Sequence, residues 1–323
     1  MASSTPSKTS AYPQPITILP KQTHKSTMII LHGRGSTASK FASPFLSHPV
    51  TPLPNTPFPS PSQPFQSHFP HTKFIFPTAS LRRAVVYKRS LTHQWFDMWE
   101  IATHSPEYRE GLSVLGLRES AGYLQGLLEE AVREVGGGNV VLVGLSQGCA
   151  VGLVTLMLWD REAKAERRTE GIAGFAGMCG WLPFRKGMLQ ALDDDEEGKE
   201  DTGDDFLFER SEDEGKEKKS NLERVVEWLR EELEMNAPVS RYGEEITVKN
   251  IPVFMGHGTE DEKVQCDLGK KATEFLKKVG VNVSWKQYSE LGHWYSADML
   301  RDLVEFVKGL DGWNHGQEIT ARG

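Results

Sequence analysis

Val140-Val141-Leu142-Val143-Gly144-Leu145-Ser146-Gln147-Gly148-Cys149-Ala150 is an apolar, β-branched run that ends on Gly-x-Ser-x-Gly and passes into a helix-capable segment reaching Trp159. Strand, glycine-flanked serine and helix in that order make the pattern of a nucleophile elbow. A serine that projects from the top of a sheet sits on a tight turn, and glycines two residues to either side leave room for it. With ordinary glycine and serine usage the bare motif arises by chance in about one chain in ten of this length. The strand before it and the helix after it make that coincidence about tenfold rarer.

The rest of the chain follows the same rhythm. Thr27 to Leu31 and Lys73 to Phe76 read as buried strands closed by Gly or Pro, and Leu112 to Val135 carries apolar residues at helical spacing up to Gly136-Gly137-Gly138. Beyond the elbow come a helix to about Asp160, a strand near Ile172 to Met178 and a strand at Ile251 to Met255. A helix near Val264 to Val279, a strand at Val281 to Tyr288 and a helix near Ala297 to Gly309 complete the series. Alternation of this kind implies an α/β fold, a mostly parallel central sheet with helices on both faces. It predicts one domain over residues 25–310, with flexible tails at 1–24 and 311–323.

Two segments interrupt the rhythm and read as insertions. Pro49 to Pro70 holds eight of the eighteen prolines, whose fixed φ and missing N–H exclude helix or sheet. Gly187 to Lys219 is acidic and of low complexity, a solvated excursion. Asn221 to Met235 is amphipathic through Leu222, Val225, Val226 and Leu229, and reads as a helix capping that insertion.

Bulk properties narrow the function classes. The 323 residues are 38% hydrophobic, enough for a large core. The net charge of -7 is concentrated: Asp193 to Lys219 carries fourteen acidic and five basic residues, so the remainder is near neutral. No basic stripe points to nucleic acid. Cys149, Cys179 and Cys266 lie in or beside apolar segments without metal-ligand spacing, so they read as buried thiols of a reducing compartment, and neither metal nor cofactor is expected. Met1 to Pro20 has no apolar signal-peptide region, and no run approaches the roughly 20 apolar residues of a membrane span. These features predict a cytoplasmic protein, with the nucleus also open to it.

A serine hydroxyl becomes a nucleophile when a histidine takes its proton and a carboxylate orients the histidine. In this class of fold the order is serine, acid, histidine. Of the downstream histidines, His293 lies in Leu291-Gly292-His293-Trp294, between the last strand and the last helix, where strand ends deliver catalytic groups. His315 falls in the Gly-containing tail, and His257 reads as a loop residue with structural hydrogen bonds. The acid belongs after the strand ending at Met255, where Glu260, Asp261 and Glu262 are equivalent by spacing. An oxyanion hole needs two donors: the Gln147 amide, and an amide from an early loop, for which Leu31-His32-Gly33-Arg34-Gly35 offers Arg34. That Gly-x-Gly lacks the dinucleotide and P-loop signatures. Trp95, Phe96, Trp181 and Leu182 are candidates to line an apolar acyl site.

Read together, Leu31-His32-Gly33-Arg34-Gly35, Trp95-Phe96-Asp97, Gly144-Leu145-Ser146-Gln147-Gly148, Cys179-Gly180-Trp181-Leu182-Pro183, His257-Gly258-Thr259-Glu260-Asp261 and Gly292-His293 resemble the acyl-protein thioesterase, lysophospholipase and carboxylesterase group of small α/β-hydrolases. The resemblance spans most of residues 27–308 and implies that Asp261 is the acid. It implies a serine hydrolase with Ser146, His293 and Asp261 as catalytic residues, acting without cofactor as a monomer or weak homodimer. The substrates it implies are thioester-linked acyl groups of proteins, with carboxylic or lysophospholipid esters as the alternative. A hydrolase-fold binding protein with vestigial activity is the non-enzyme alternative. The chain departs from the pattern at Glu262 and Gln265, where the family usually has Pro, and at Arg34, where an apolar residue is more usual.

Overall fold

A computed structural model describes residues 12–53, 61–159, 171–197, 219–235 and 247–313. Seven strands form its central sheet in the spatial order Ile16–Ile18, Thr72–Phe76, Ser26–Leu31, Val140–Leu145, Gly174–Met178, Val253–Gly258 and Val283–Tyr288. Ile16–Ile18 pairs antiparallel at the edge, and the other neighbours are parallel. The expected α/β architecture is the one observed.

Both faces of the sheet are apolar. Along Ser26–Leu31, Met28 and Ile30 face one core while Ile29 and Leu31 face the other, the period-two alternation of a strand buried on two sides. Helices α1 (Ala38–Ser47) and α7 (Ala297–Lys308) cover the first face; α2 (Val114–Val135), α3 (Gln147–Met157) and α6 (Cys266–Lys278) cover the second. All eleven residues of α3 are buried, which is why its sequence has little polar face.

Register sets the position of the site. Leu31 lies opposite Gly144, Gly144 opposite Gly177, and Met178 opposite Gly256. The residues that follow these strands, His32 to Arg34, Ser146, Cys179 and Thr259 to Asp261, therefore emerge along one edge. Successive strands leave Ser26–Leu31 in opposite directions, so the topological switch point, where open α/β sheets bind ligands, falls between that strand and the one that ends before Ser146.

Several expectations are corrected. The amino-terminal segment is structured from Tyr12, whose ring stacks on Tyr123 at 3.9 Å, and it supplies the antiparallel edge strand. Within Pro49 to Pro70, Pro49–Val50 pairs with Gln63–Pro64 and Phe65–His68 forms a 3₁₀ turn; residues 54–60 lie outside the described residues. Short edge pairing needs few N–H donors, so proline did not exclude it. The acidic excursion begins later than expected, because α4 (Arg185–Glu197) buries Met188 and Leu192. Helix α4 lies against α5 (Asn221–Glu232), with Gly187 seated on the Trp228 ring. A capping box between Ser220 and Glu223 starts α5. Trp313, expected in the tail, is buried and donates from Nε1 to the Gly138 carbonyl at 3.1 Å.

Candidate active site

Ser146 joins the central strand to α3 with φ 56° and ψ −119°, a conformation that costs a non-glycine residue free energy. Its N–H donates to the Met178 carbonyl at 2.8 Å, fixing the turn to the next strand. The flanking glycines have steric causes. A Cβ on Gly144 would strike the Gly148 carbonyl, and one on Gly148 would lie 2.6 Å from the Leu31 oxygen and 2.8 Å from that of His32. The motif spacing is thus the contact between the elbow and the early loop.

His293 follows the Val283–Tyr288 strand and reaches Ser146 from the opposite side. Its Nε2 lies 2.8 Å from Ser146 Oγ, and its Nδ1 lies 2.9 and 2.7 Å from the two oxygens of Asp261. An ionised carboxylate only accepts, so Nδ1 carries the proton and Nε2 is left to accept from the serine hydroxyl. Asp261 is also held by the Lys263 and Val264 amides at 3.0 and 2.9 Å and by His257 Nε2 at 3.1 Å. Burial alone would raise the Asp261 carboxyl; the hydrogen bonds from His257, His293 and Val264 outweigh it and hold the group well below the usual carboxylate range. Of the three acids that spacing left open, the structure brings only Asp261 to His293.

His257 is not a loop residue. It is fully buried in the Val253–Gly258 strand, and its Nε2 also lies 2.8 Å from the Val264 carbonyl. A carbonyl only accepts, so Nε2 is the protonated nitrogen and donates to both oxygens. The loop closes without the two usual prolines because Glu260 N–H donates to Leu291 O at 3.0 Å and Gln265 serves as N-cap of α6. His315 lies outside the described residues.

The two segments expected to supply amide donors both border Ser146: Gln147 follows it directly, and a Cβ on Gly33, next to Arg34, would lie 3.3 Å from the Ser146 Cβ. Gln147 is the first residue of α3, so its N–H has no intrahelical acceptor. Its side chain is a buried clamp: Oε1 accepts from Trp95 N–H at 2.9 Å and Nε2 donates to Phe96 O at 2.8 Å. At the early loop, Ala79 N–H donates to His32 Nε2, which places the ring proton on Nδ1, facing the Gly33 carbonyl at 2.7 Å. Burial pushes His32 down to about 4, the Gly33 contact opposing it and His93 adding to it, so the ring is neutral at pH 7. The Arg34 side chain turns away from this loop, its Nη2 3.2 Å from the Tyr87 hydroxyl and its guanidinium 5.1 Å from that ring's centre.

Of the expected acyl-site residues, Phe96 and Trp181 line a cleft whose wall also includes Met98, Trp99, Tyr108 and Glu110. Trp95 and Leu182 do not line it. Trp95 is fully buried and donates from Nε1 to the His32 carbonyl at 2.8 Å, so it supports the early loop, and Leu182 belongs to the core. Glu110 was not foreseen. Burial pushes its carboxyl up to about 7 against the Phe184 amide, which donates to Oε1. The aromatic density of residues 95–108 was the available signal for this wall; its turns have no periodicity from which to read it.

Serine on an elbow, histidine and buried carboxylate in hydrogen-bonded series, and the free first amide of the helix that follows the serine can support nucleophilic acyl transfer. The sequence profile of the phospholipase/carboxylesterase family matches residues 60–191 and 234–310. The chain belongs to that family. It is a serine hydrolase acting on ester-type bonds. As a member of the phospholipase/carboxylesterase family it is 23% identical over 301 residues to acyl-protein thioesterase 1 of Yarrowia lipolytica, covering 92% of this chain and 97% of that one. It is 22% identical over 253 residues to the carboxylesterase SOBER1 of Arabidopsis thaliana, covering 76% and 83%. The crystal structure of Zea mays acyl-protein thioesterase 2 superposes with a TM-score of 0.59 at 19% identity, over 92% of this chain and 98% of that one, which shows a shared fold. The profile's break between 191 and 234 coincides with the end of α4, the acidic stretch and α5.

Proposed function

We propose that this hydrolase cleaves acyl thioesters or carboxylic esters through an acyl-enzyme formed on Ser146, and that its substrates are S-acylated proteins. The carrying observation is the continuous series from Ser146 Oγ through His293 to Asp261. In this mechanism His293 takes the serine proton as Oγ attacks the carbonyl, then donates it to the departing thiol or alcohol. Asp261 stabilises the imidazolium, and the Arg34 and Gln147 amides receive the oxyanion. Water repeats the sequence to release the acid. The reading takes the chain as one catalytic domain with two insertions, a cytoplasmic monomer or weak homodimer that uses no cofactor.

Support for the thioesterase substrate comes from the named thioesterase relatives and from the aromatic wall of Phe96, Trp99 and Trp181, which offers apolar surface to an acyl chain. A carboxylesterase acting on shorter esters is the second reading, favoured by one observation: Glu110 places a carboxyl among those aromatics, where its charged form opposes a long alkyl chain. A fluorophosphonate probe should label the wild type and leave Ser146→Ala unlabelled; a folded wild type that is not labelled removes the hydrolase mechanism. p-Nitrophenyl esters of increasing length, beside an S-palmitoyl peptide, then separate the substrates. Activity confined to acetate and butyrate would overturn the thioesterase reading in favour of the second.

A further inference from the structure

Cys179 lies beside Asp261 and His293, and the mechanism above does not use it. It follows the Gly174–Met178 strand with φ 50°, is buried, and its N–H donates to the Gly256 carbonyl at 2.9 Å. Its Sγ lies 3.3 Å from the Trp294 carbonyl, next to the histidine. Cys179 Sγ, an Asp261 oxygen and a His293 nitrogen all lie within 4.8 Å of one another. Since Nε2 faces Ser146, the nitrogen on this side is Nδ1. Thiolate, imidazole and carboxylate together are the donor set of a borderline-soft divalent ion, and around tetrahedral zinc such atoms sit about 3.3–3.6 Å apart, from metal–ligand lengths of about 2.0–2.3 Å. To reach that geometry the sulfur, which lies no more than 4.8 Å from the other two atoms, moves inward and the 2.7 Å Asp261–His293 contact opens. The carboxylate already has outer partners in His257 and the Lys263 and Val264 amides, the kind of support that orients metal ligands. Sequence spacing concealed this site, because its three ligands follow three different strands.

We propose that Cys179, Asp261 and His293 form an inhibitory site for a thiophilic divalent cation of the zinc type. The inference rests on the reading of His293 as the base. On binding, the Cys179 thiol releases one proton to solvent, and thiolate plus carboxylate balance the two charges of the ion. Imidazole stays neutral: the metal takes the Nδ1 lone pair, so its single proton resides on Nε2, facing Ser146. Ser146 then has no acceptor for its proton. Because the ion sits behind His293 and not in the substrate's place, inhibition lowers kcat and leaves KM unchanged.

The test titrates the full chain with zinc and with cadmium, in a metal buffer, reading p-nitrophenyl ester hydrolysis and the ultraviolet thiolate-to-cadmium charge-transfer band. Cys179→Ser, Cys179→Ala and, as a control thiol, Cys266→Ser are each normalised to their own metal-free rate. The expected result is inhibition reversed by EDTA with a fall in kcat alone, a cadmium band retained in Cys266→Ser, and a half-inhibiting zinc concentration raised about tenfold or more in both Cys179 variants, or about 1.4 kcal/mol. Equal sensitivity of the wild type and the Cys179 variants, or a cadmium band lost only in Cys266→Ser, overturns the proposal. If the wild type hydrolyses no ester, the functional reading fails separately, while the cadmium band still decides the metal site.

Discussion

Individual residues here are defined by which proton they hold. Asp261 keeps its charge well into acid because the hydrogen bonds from His257 and His293 outweigh the cost of its burial. Asp261→Asn would present an amide N–H to one of those donors and favour the wrong His293 tautomer; kcat should fall by about four orders of magnitude with little change in KM, measured by steady-state hydrolysis. His32 behaves in the opposite sense to a paired histidine. Its folded value of about 4 lies below the unfolded 6.5, so between these values the unfolded chain binds more protons and stability falls as pH falls. From pH 7 to pH 5 the contribution lost is about 2 kcal/mol, at about 1.4 kcal/mol per pH unit below 6.5. Urea unfolding of wild type and His32→Gln at both pH values checks this: the variant should show a smaller decline, and equal declines would deny His32 the role.

At the scale of elements, the elbow depends on backbone approach, and its glycines differ from those elsewhere. Gly148→Ala sets a methyl against the Leu31 and His32 carbonyls and so displaces the early loop that carries Arg34. A loss of about 100-fold or more in kcat/KM is expected, by analogy with removal of one oxyanion donor. Gly122, exposed in α2 with nothing within 4 Å of an added Cβ, is the control, and Gly122→Ala should raise the melting temperature through about 0.5–1 kcal/mol of helix propensity. Legibility follows the same division. Long buried strands and the amphipathic α2, α6 and α7 were readable because burial imposes a period on their sequences. Helix α1 was not, because Pro44 within it reads as a breaker, yet Phe41, Ala42, Phe45 and Leu46 bury enough apolar surface to carry it. The Leu81–Ala84 and Ser90–His93 ribbon was missed because its pairing is short and half exposed. In the site, Ser146 was readable from its elbow motif and His293 from chain order together with its place between the last strand and the last helix, whereas the choice of Asp261 over its two acidic neighbours needed the family resemblance. The burial of Trp95 needed three dimensions, because its indole serves a carbonyl of a distant loop.

Across the whole molecule, the division between fold and insertion does not follow composition. The acidic run begins inside α4, where Asp193 and its neighbours share a helix with the buried Met188 and Leu192, and it ends at the capping box that starts α5. Arg224 ties the two helices by donating from Nη2 to the Ala191 and Leu192 carbonyls at 2.9 and 2.8 Å. Leu222, Val225, Val226 and Leu229 of α5 join the same core as α2 and α3. Two deletions that look alike in sequence should therefore differ in outcome. Replacing residues 198–218 by a short Gly-Ser linker removes nine acidic and four basic residues and none of these contacts, so melting temperature and ester hydrolysis should stay near wild type. Replacing 187–219 also removes most of α4, exposing the face of α5 and the Trp228 ring that covers Gly187. Losing the burial of Met188 and Leu192 alone should cost about 4 kcal/mol or more, at about 2 kcal/mol or more for each large apolar side chain. Thermal melts and soluble yield of the two variants decide the matter: equal stability would mean that α4 is dispensable, and the boundary of the fold would then lie at Arg185.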